Sequence, residues 1–143
     1  MLKGIPEIIS PELMKVLMEM GHGDEICFGD INFPSQSVGQ KVIRADGHTV
    51  TDLLDAILHF FPLDTYVEHP CAVMRPVDDS EPPQVWQEFE SIIKNHDFAS
   101  AYKDFELVER FAFYERAKKC YAVVATSERA GYSCIILKKG VIF

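Results

Sequence analysis

The residues best suited to chemistry lie in one short stretch, Met20 to Pro34, reading MGHGDEICFGDINFP. Gly21-His22-Gly23 leads into an apolar run that ends on Asp30. An imidazole and a carboxylate thus bracket one predicted strand. Histidine is the side chain whose ordinary titration range lies nearest neutrality, so the pair suggests acid–base chemistry on a polar, uncharged substrate. Asp30 would orient the imidazole or hold a hydroxyl. A plainer reading stands beside it with equal weight: a polar histidine just past a helix end, and an aspartate that forms a turn at a strand end. A metal site built on His22 with Asp24 or Asp30 has too few ligands at this spacing. The sequence holds no phosphate-binding loop, dinucleotide fingerprint, HExxH zinc motif or nucleophile elbow.

A second cluster, Arg110-Phe111-Ala112-Phe113-Tyr114-Glu115-Arg116, falls in a helical pattern. Phe111, Tyr114 and Lys118 share one face of it. Phe111 and Phe113 read as core packing, while Arg110 and Tyr114 stay open between packing and function. Tyr132 precedes the last predicted strand and either anchors a turn or reaches the same edge.

The elements that must position these residues follow from periodicity and caps. Ser10-Pro11-Glu12 is a helix start: Ser10 caps, Pro11 suits the first turn and Glu12 favours the positive end of the helix dipole. Leu13, Met14, Leu17 and Met20 share a helical face, and Gly21 is placed to end the helix in a left-handed conformation. Strands are predicted at Glu25 to Gly29, Lys41 to Arg44 and Cys71 to Met74, with Ser35-Gln36-Ser37 in a loop. Thr49 to Asp52 has the form of a capping box with aspartate as its acid, and Val50, Leu53, Leu54, Ile57, Leu58 and Phe61 form the clearest amphipathic helix. Arg75 to Pro83, rich in proline and acid, reads as an exposed loop. A helix from Gln84 to Lys94 follows, then a strand at Glu106 to Glu109 and a helix over Phe111 to Lys119. Two strong strands, Tyr121 to Ala125 and Cys134 to Lys138, close the chain. Short strands alternating with helices of about 10 to 12 residues predict an α/β fold, a layered sheet with helices packed on its faces. Ligands on such sheets bind beyond the carboxyl ends of the strands, where Asp30 falls.

Length and composition set the outer bounds. The 143 residues, 48% hydrophobic and 25% charged, are expected to form a single domain over 1–143. A net charge of -8 argues against nucleic acid or an anionic membrane as partner. No segment approaches the ~18 consecutive apolar residues of a membrane span, and no signal peptide is expected at the N-terminus. Cys27, Cys71, Cys120 and Cys134 lie far apart with no CxxC spacing. Free, buried thiols in a reducing cytoplasm are therefore expected.

Several stretches together resemble the L-fucose mutarotase family, part of a wider group that includes D-ribose pyranase. They are ISPEL from Ile9, MGHGDE from Met20, NFP from Asn32, IRADG from Ile43, PLDTYV from Pro62, ERFAFYERAKK from Glu109, AVVAT from Ala122 and ILKKG from Ile136. The likeness runs from Met1 to the C-terminus. It implies interconversion of the anomers of a free monosaccharide, L-fucose, without metal or cofactor, by acid–base opening and closing of the hemiacetal. On that resemblance His22 is the catalytic proton donor and Tyr114 has a catalytic role. Asp30, Asp64, Arg110, Tyr132 and Cys134 fall at substrate-binding positions. The resemblance further implies ring-like homo-oligomers, commonly decamers, with sites near subunit contacts.

The sequence departs from the family pattern at one place. The Tyr-Gly-Asn motif near the C-terminus reads Tyr132-Ser133-Cys134 here. An amide both donates and accepts hydrogen bonds, whereas a thiol does each weakly. Two alternatives therefore stand beside the mutarotase reading: a ribose pyranase-like pyranose/furanose isomerase, and a monosaccharide-binding protein without turnover.

Overall fold

The computed structural model describes residues 1–78 and 80–143. Its elements run α1 (Pro11–Glu19), β1 (Glu25–Gly29), α2 (Ser35–Val38), β2 (Val42–Ala45), α3 (Val50–Leu58), β3 (Cys71–Met74), α4 (Gln84–His96), β4 (Glu106–Val108), α5 (Arg110–Lys119), β5 (Ala122–Thr126) and β6 (Ile135–Lys138). The strands form one six-stranded sheet in the order β2-β5-β1-β6-β3-β4. β2, β5 and β1 are mutually parallel, and β3 is parallel to β4. β6 lies antiparallel between β1 and β3.

Alternation along the strands builds a layer on each face. Ile26 and Phe28 of β1, Val73 of β3 and Val124 of β5 face the apolar side of α1, α3 and α4, with Leu13, Leu53, Leu54, Ile57 and Phe89 among the packed residues. Cys27, Ala72, Val123 and Ile136 point the other way, against Phe113 and Ala117 of α5 and Phe33. Because both faces are covered, the central strands read as continuous apolar runs rather than alternating ones. All four cysteines are free and buried, as expected. Among the described residues no helix is long and apolar enough to cross a membrane.

The caps form as the sequence predicts: Ser10 accepts from the Leu13 amide and Thr49 from the Asp52 amide. Three local expectations need correction. Ser35–Val38 is a short helix rather than a loop. The left-handed residue after α1 is Gly23 (φ 84), not Gly21, because the chain leaves the helix through an extended Met20. Phe113 is fully buried, but Phe111 is 67% exposed, since only one of two residues so spaced can face the sheet. The expected loop at Arg75 to Pro83 contains no helix or strand, with Asp79 outside the described residues.

One ion network ties α5 to three strands. Arg116 grips Glu25 at the start of β1 through Nε (3.0 Å) and Nη2 (2.8 Å), and reaches Glu106 of β4 through Nη1 (2.7 Å). Lys138 of β6 lies 3.3 Å from the same Glu25 carboxylate. Burial alone would raise the Glu25 pKa, but Arg116 and Lys138 together outweigh it and hold the carboxyl below its ordinary 4.5. The resulting stabilisation is complete above pH 4.5 and is lost as pH falls through the lower folded value. Glu25→Gln is therefore expected to cost about 1.5 kcal/mol at pH 7, the low end for charge-assisted hydrogen bonds, because both side chains are partly exposed and Arg116 keeps Glu106 as a partner. Urea unfolding at a series of pH values should show the wild-type advantage shrinking below pH 4.5; an advantage that persists unchanged there would contradict this account.

Candidate active site

The predicted site residues divide between the two edges of the sheet. At the amino edge, where β1 begins, Gly21 to Asp24 form a closed turn. The Asp24 carboxylate accepts from the Gly21 amide (2.7 Å), and the Asp24 amide donates to the Gly21 carbonyl (3.2 Å). The Gly23 amide donates to the Lys139 carbonyl, and the Lys139 amide to the Asp24 carbonyl, each at 2.8 Å. His22 stands on this turn with its side chain 47% exposed.

Its partner is Asp64, not Asp30. His22 Nε2 lies 3.1 Å from Asp64 Oδ1, and the Asp64 side chain is only 3% exposed. The same oxygen accepts the Tyr66 amide at 3.0 Å, in the local turn that Asp makes two residues on. The Tyr66 ring sits 5.4 Å from the imidazole at a 54° tilt. An ionised carboxylate only accepts, so Nε2 carries the hydrogen in this pair and Nδ1 is left to accept or donate toward solvent. The half-exposed imidazole is oriented by a buried carboxylate, which is the arrangement proton transfer needs.

The carboxyl edge gathers the remaining residues. Asp30 follows β1; its Oδ1 accepts the Asn32 amide at 2.9 Å, and its own amide donates to Cys134 Sγ at 3.5 Å. Burial pushes the Cys134 thiol up, so it stays protonated at neutral pH. Glu109 caps α5, accepting from the Phe111 and Ala112 amides at 3.0 Å each. On that first turn the Arg110 Nε donates to the Tyr114 hydroxyl at 3.2 Å. This bond, with the nearby Tyr114, Tyr132 and Glu109 groups, raises the Arg110 pKa further. Tyr114 meets Phe33 edge-on, with ring centroids 5.6 Å apart. The Tyr132 hydroxyl accepts from the Val77 amide at 3.4 Å.

His22 and Asp30 do not meet. The five-residue β1 between them spans about 13 Å at about 3.3 Å per residue. The expectation that Asp30 orients the imidazole is thus replaced by Asp64, supplied 42 positions later by the chain that runs beside β6. Sequence reasoning also passed over Tyr66, although an aspartate two residues before it is a local turn signal, and over Trp86, whose indole N–H donates to the Tyr132 carbonyl at 2.8 Å.

Fold and site together define a layered α/β protein with a histidine–aspartate pair on one sheet edge. Arginine, tyrosine and aspartate side chains, suited to a hydroxyl-rich ligand, occupy the other edge. The model of the RbsD / FucU transport protein family matches residues 3–142, and the chain belongs to that family. It is 51% identical to the fucose mutarotase of Homo sapiens, covering 99% of this chain and 94% of the human protein. The crystal structure of the fucose mutarotase of Streptococcus pneumoniae in complex with L-fucose is 46% identical, with a TM-score of 0.93 over 99% of this chain and 100% of that one. Bacillus subtilis RbsD complexed with D-ribose shares the fold alone, at 22% identity and a TM-score of 0.71, each chain covered in full.

The geometry at the amino edge makes a spectroscopic prediction. In the neutral imidazole of wild type, ¹⁵N spectra should show His22 protonated on Nε2. Asp64→Asn, whose amide can donate as well as accept, should bring a mixture of tautomers. An unchanged Nε2–H signal in the variant would show that Asp64 does not set the tautomer.

Proposed function

We propose that this protein interconverts the α and β anomers of L-fucose by general acid–base catalysis. The observation that carries the reading is the exposed imidazole of His22 aligned by the buried Asp64 carboxylate. It is supported by 46% identity over 99% of the chain to a fucose mutarotase in complex with L-fucose.

The reaction needs two proton transfers at adjacent oxygens. A base takes the proton from the anomeric hydroxyl while an acid delivers one to the ring oxygen, and the C1–O5 bond breaks to give the aldehyde. The C1–C2 bond rotates, and the ring closes by the reverse transfers on the other face of the carbonyl. No group is left on the protein. His22 and Tyr114 are the two groups that exchange these protons, with Asp64 holding the imidazole. Asp30, Arg110 and Tyr132 bind sugar hydroxyls at the carboxyl edge, and Cys134 lines it with a weak polar group.

Because His22 and Tyr114 stand on opposite sheet edges, one subunit does not present both to one sugar. The reading therefore includes a homo-oligomer in which the amino edge of one subunit faces the carboxyl edge of the next. Such head-to-tail contacts close into a ring when the rotation allows. Residues 1–143 act as one unit in this assembly, and four reduced cysteines suit a cytoplasmic setting.

Saturation-transfer NMR on equilibrated L-fucose tests the proposal. Wild type should accelerate α to β exchange, and His22→Ala should lose most of the ~10²–10⁴-fold that acid–base catalysis supplies. Faster exchange on D-ribose than on L-fucose would favour the pyranase reading. Binding of L-fucose with exchange at the buffer rate would make this a sugar-binding protein instead. Cys134→Asn should lower the KM for L-fucose by about two- to tenfold, the worth of one neutral hydrogen bond. An unchanged KM would remove residue 134 from the sugar contacts.

A further inference from the structure

We infer that Trp86 is a positioning residue, whose indole N–H holds Tyr132 in the backbone conformation that presents its ring at the carboxyl edge. The inference rests on the proposed reading of Tyr132 as a sugar contact.

Tyr132 has φ 53. A bulky residue is a genuine outlier in that region, and such outliers persist only where the surroundings over-determine them. Gly131, which would adopt a left-handed conformation freely, sits one position earlier and does not take it. The strain thus falls on the tyrosine although a permissive residue is adjacent. Left to itself, Tyr132 would relax toward extended φ and carry its ring elsewhere.

Three contacts oppose that relaxation. Trp86 Nε1 donates to the Tyr132 carbonyl at 2.8 Å. The Ser133 hydroxyl closes the turn by donating to the Ala130 carbonyl at 2.7 Å. The Val77 amide reaches the Tyr132 hydroxyl at the longer distance of 3.4 Å. The Trp86 bond is the one that couples the turn to the core. Its indole is 6% exposed and packs on Phe105 with ring centroids 6.1 Å apart, so it cannot follow a moving loop. An indole has one donor and no acceptor, and here that donor is used on the carbonyl whose peptide plane sets the course from Tyr132 into Ser133 and Cys134.

Trp86→Phe keeps an aromatic ring in the packing and removes only the N–H. In folded variant protein the KM for L-fucose should rise roughly two- to tenfold with kcat little changed, the scale of one neutral hydrogen bond to the sugar. Tyr132→Phe should raise KM as well. The double variant should be no worse than the more damaging single one, because residues that act as a unit are not additive. A wild-type KM in folded Trp86→Phe, or additive effects in the double variant, would overturn the inference.

Two further readouts keep the test decisive. Trp86 is the single tryptophan, so in the unmodified protein saturating L-fucose should shift its emission; no shift would count against the coupling even if Trp86→Phe fails to fold. The Tyr132 and Ser133 backbone shifts need no sugar, and they should move from left-handed toward extended values in Trp86→Phe. If wild type neither binds nor turns over L-fucose, the proposed function fails, and these backbone shifts still decide the positioning.

Discussion

The antiparallel placement of β6 between β1 and β3 is the constraint on which both polar clusters depend. A strand that runs against its neighbours puts its start where they end. Tyr132 to Cys134 therefore arrive at the edge where β1 delivers Asp30, and Cys134 Sγ meets the Asp30 amide there. The other end of β6 delivers Lys139 and Gly140 to the edge where β1 begins. Lys139 pairs with Gly23 and Asp24 through backbone bonds, and Lys138 accepts the Asp64 amide. Gly140 passes so close to Leu63 that an added Cβ would lie 2.4 Å from its carbonyl oxygen. A side chain there would push away the segment that carries Asp64 to His22. Were β6 parallel, Tyr132 would emerge beside His22, away from Asp30, Arg110 and Tyr114.

Helix α5 spans the same distance on one face of the sheet. Its first turn sets Arg110 and Tyr114 at the carboxyl edge. Arg116, about 9 Å further along a helix rising about 1.5 Å per residue, is fixed to Glu25 at the opposite edge. The helix is thereby held in register with β1 by a bidentate, charge-assisted contact, the kind that carries geometric specificity as well as energy. A slide of α5 by one turn would break Glu25–Arg116 and carry Tyr114 off Phe33 together. The sheet between the edges is closed on both faces by packed side chains, so a ligand cannot pass through it. On the proposed reading, the two clusters share a sugar where such edges of two subunits meet.

What could be read in the sequence was local. The Ser10 and Thr49 caps, the apolar stripe of α3 and the continuous apolar runs of β1, β3 and β5 each rest on neighbours in the chain, and the structure has them close to where they were expected. The failures were of the opposite kind. The partner of His22 could not be deduced from residues near it, because Asp64 is brought there by a loop that bridges to Lys139. Phe111 and Phe113 are chemically alike, and only the packing of α5 on the sheet decides which is buried. Tyr132 looked like a turn residue and is one, but it has a positive φ, and the donor to its carbonyl, Trp86, lies on a helix 46 positions earlier. The resemblance to mutarotases pointed to Asp64, Arg110 and Tyr132 by position alone; it could not say that Asp64 stands on the edge opposite the other two.

Cys134 changes the chemistry of the carboxyl edge in a definite way. Its sulfur faces the Asp30 amide, and burial keeps the thiol neutral. An asparagine there could accept that amide and still donate elsewhere, whereas a thiol that accepts has only a weak donor left. The task of meeting sugar hydroxyls then falls on fewer groups. Asp30 uses Oδ1 on the Asn32 amide and keeps Oδ2, and a carboxylate oxygen forms stronger hydrogen bonds to hydroxyls than a neutral amide does. The guanidinium of Arg110 spends Nε on Tyr114, and its other N–H donors have no hydrogen-bond partner among the described residues. On the proposed reading, recognition at this edge thus rests more on charged partners and less on a neutral amide. Charged partners favour any correctly placed hydroxyl, so the penalty of the thiol appears first as weaker discrimination between sugars rather than as loss of the proton transfers at His22.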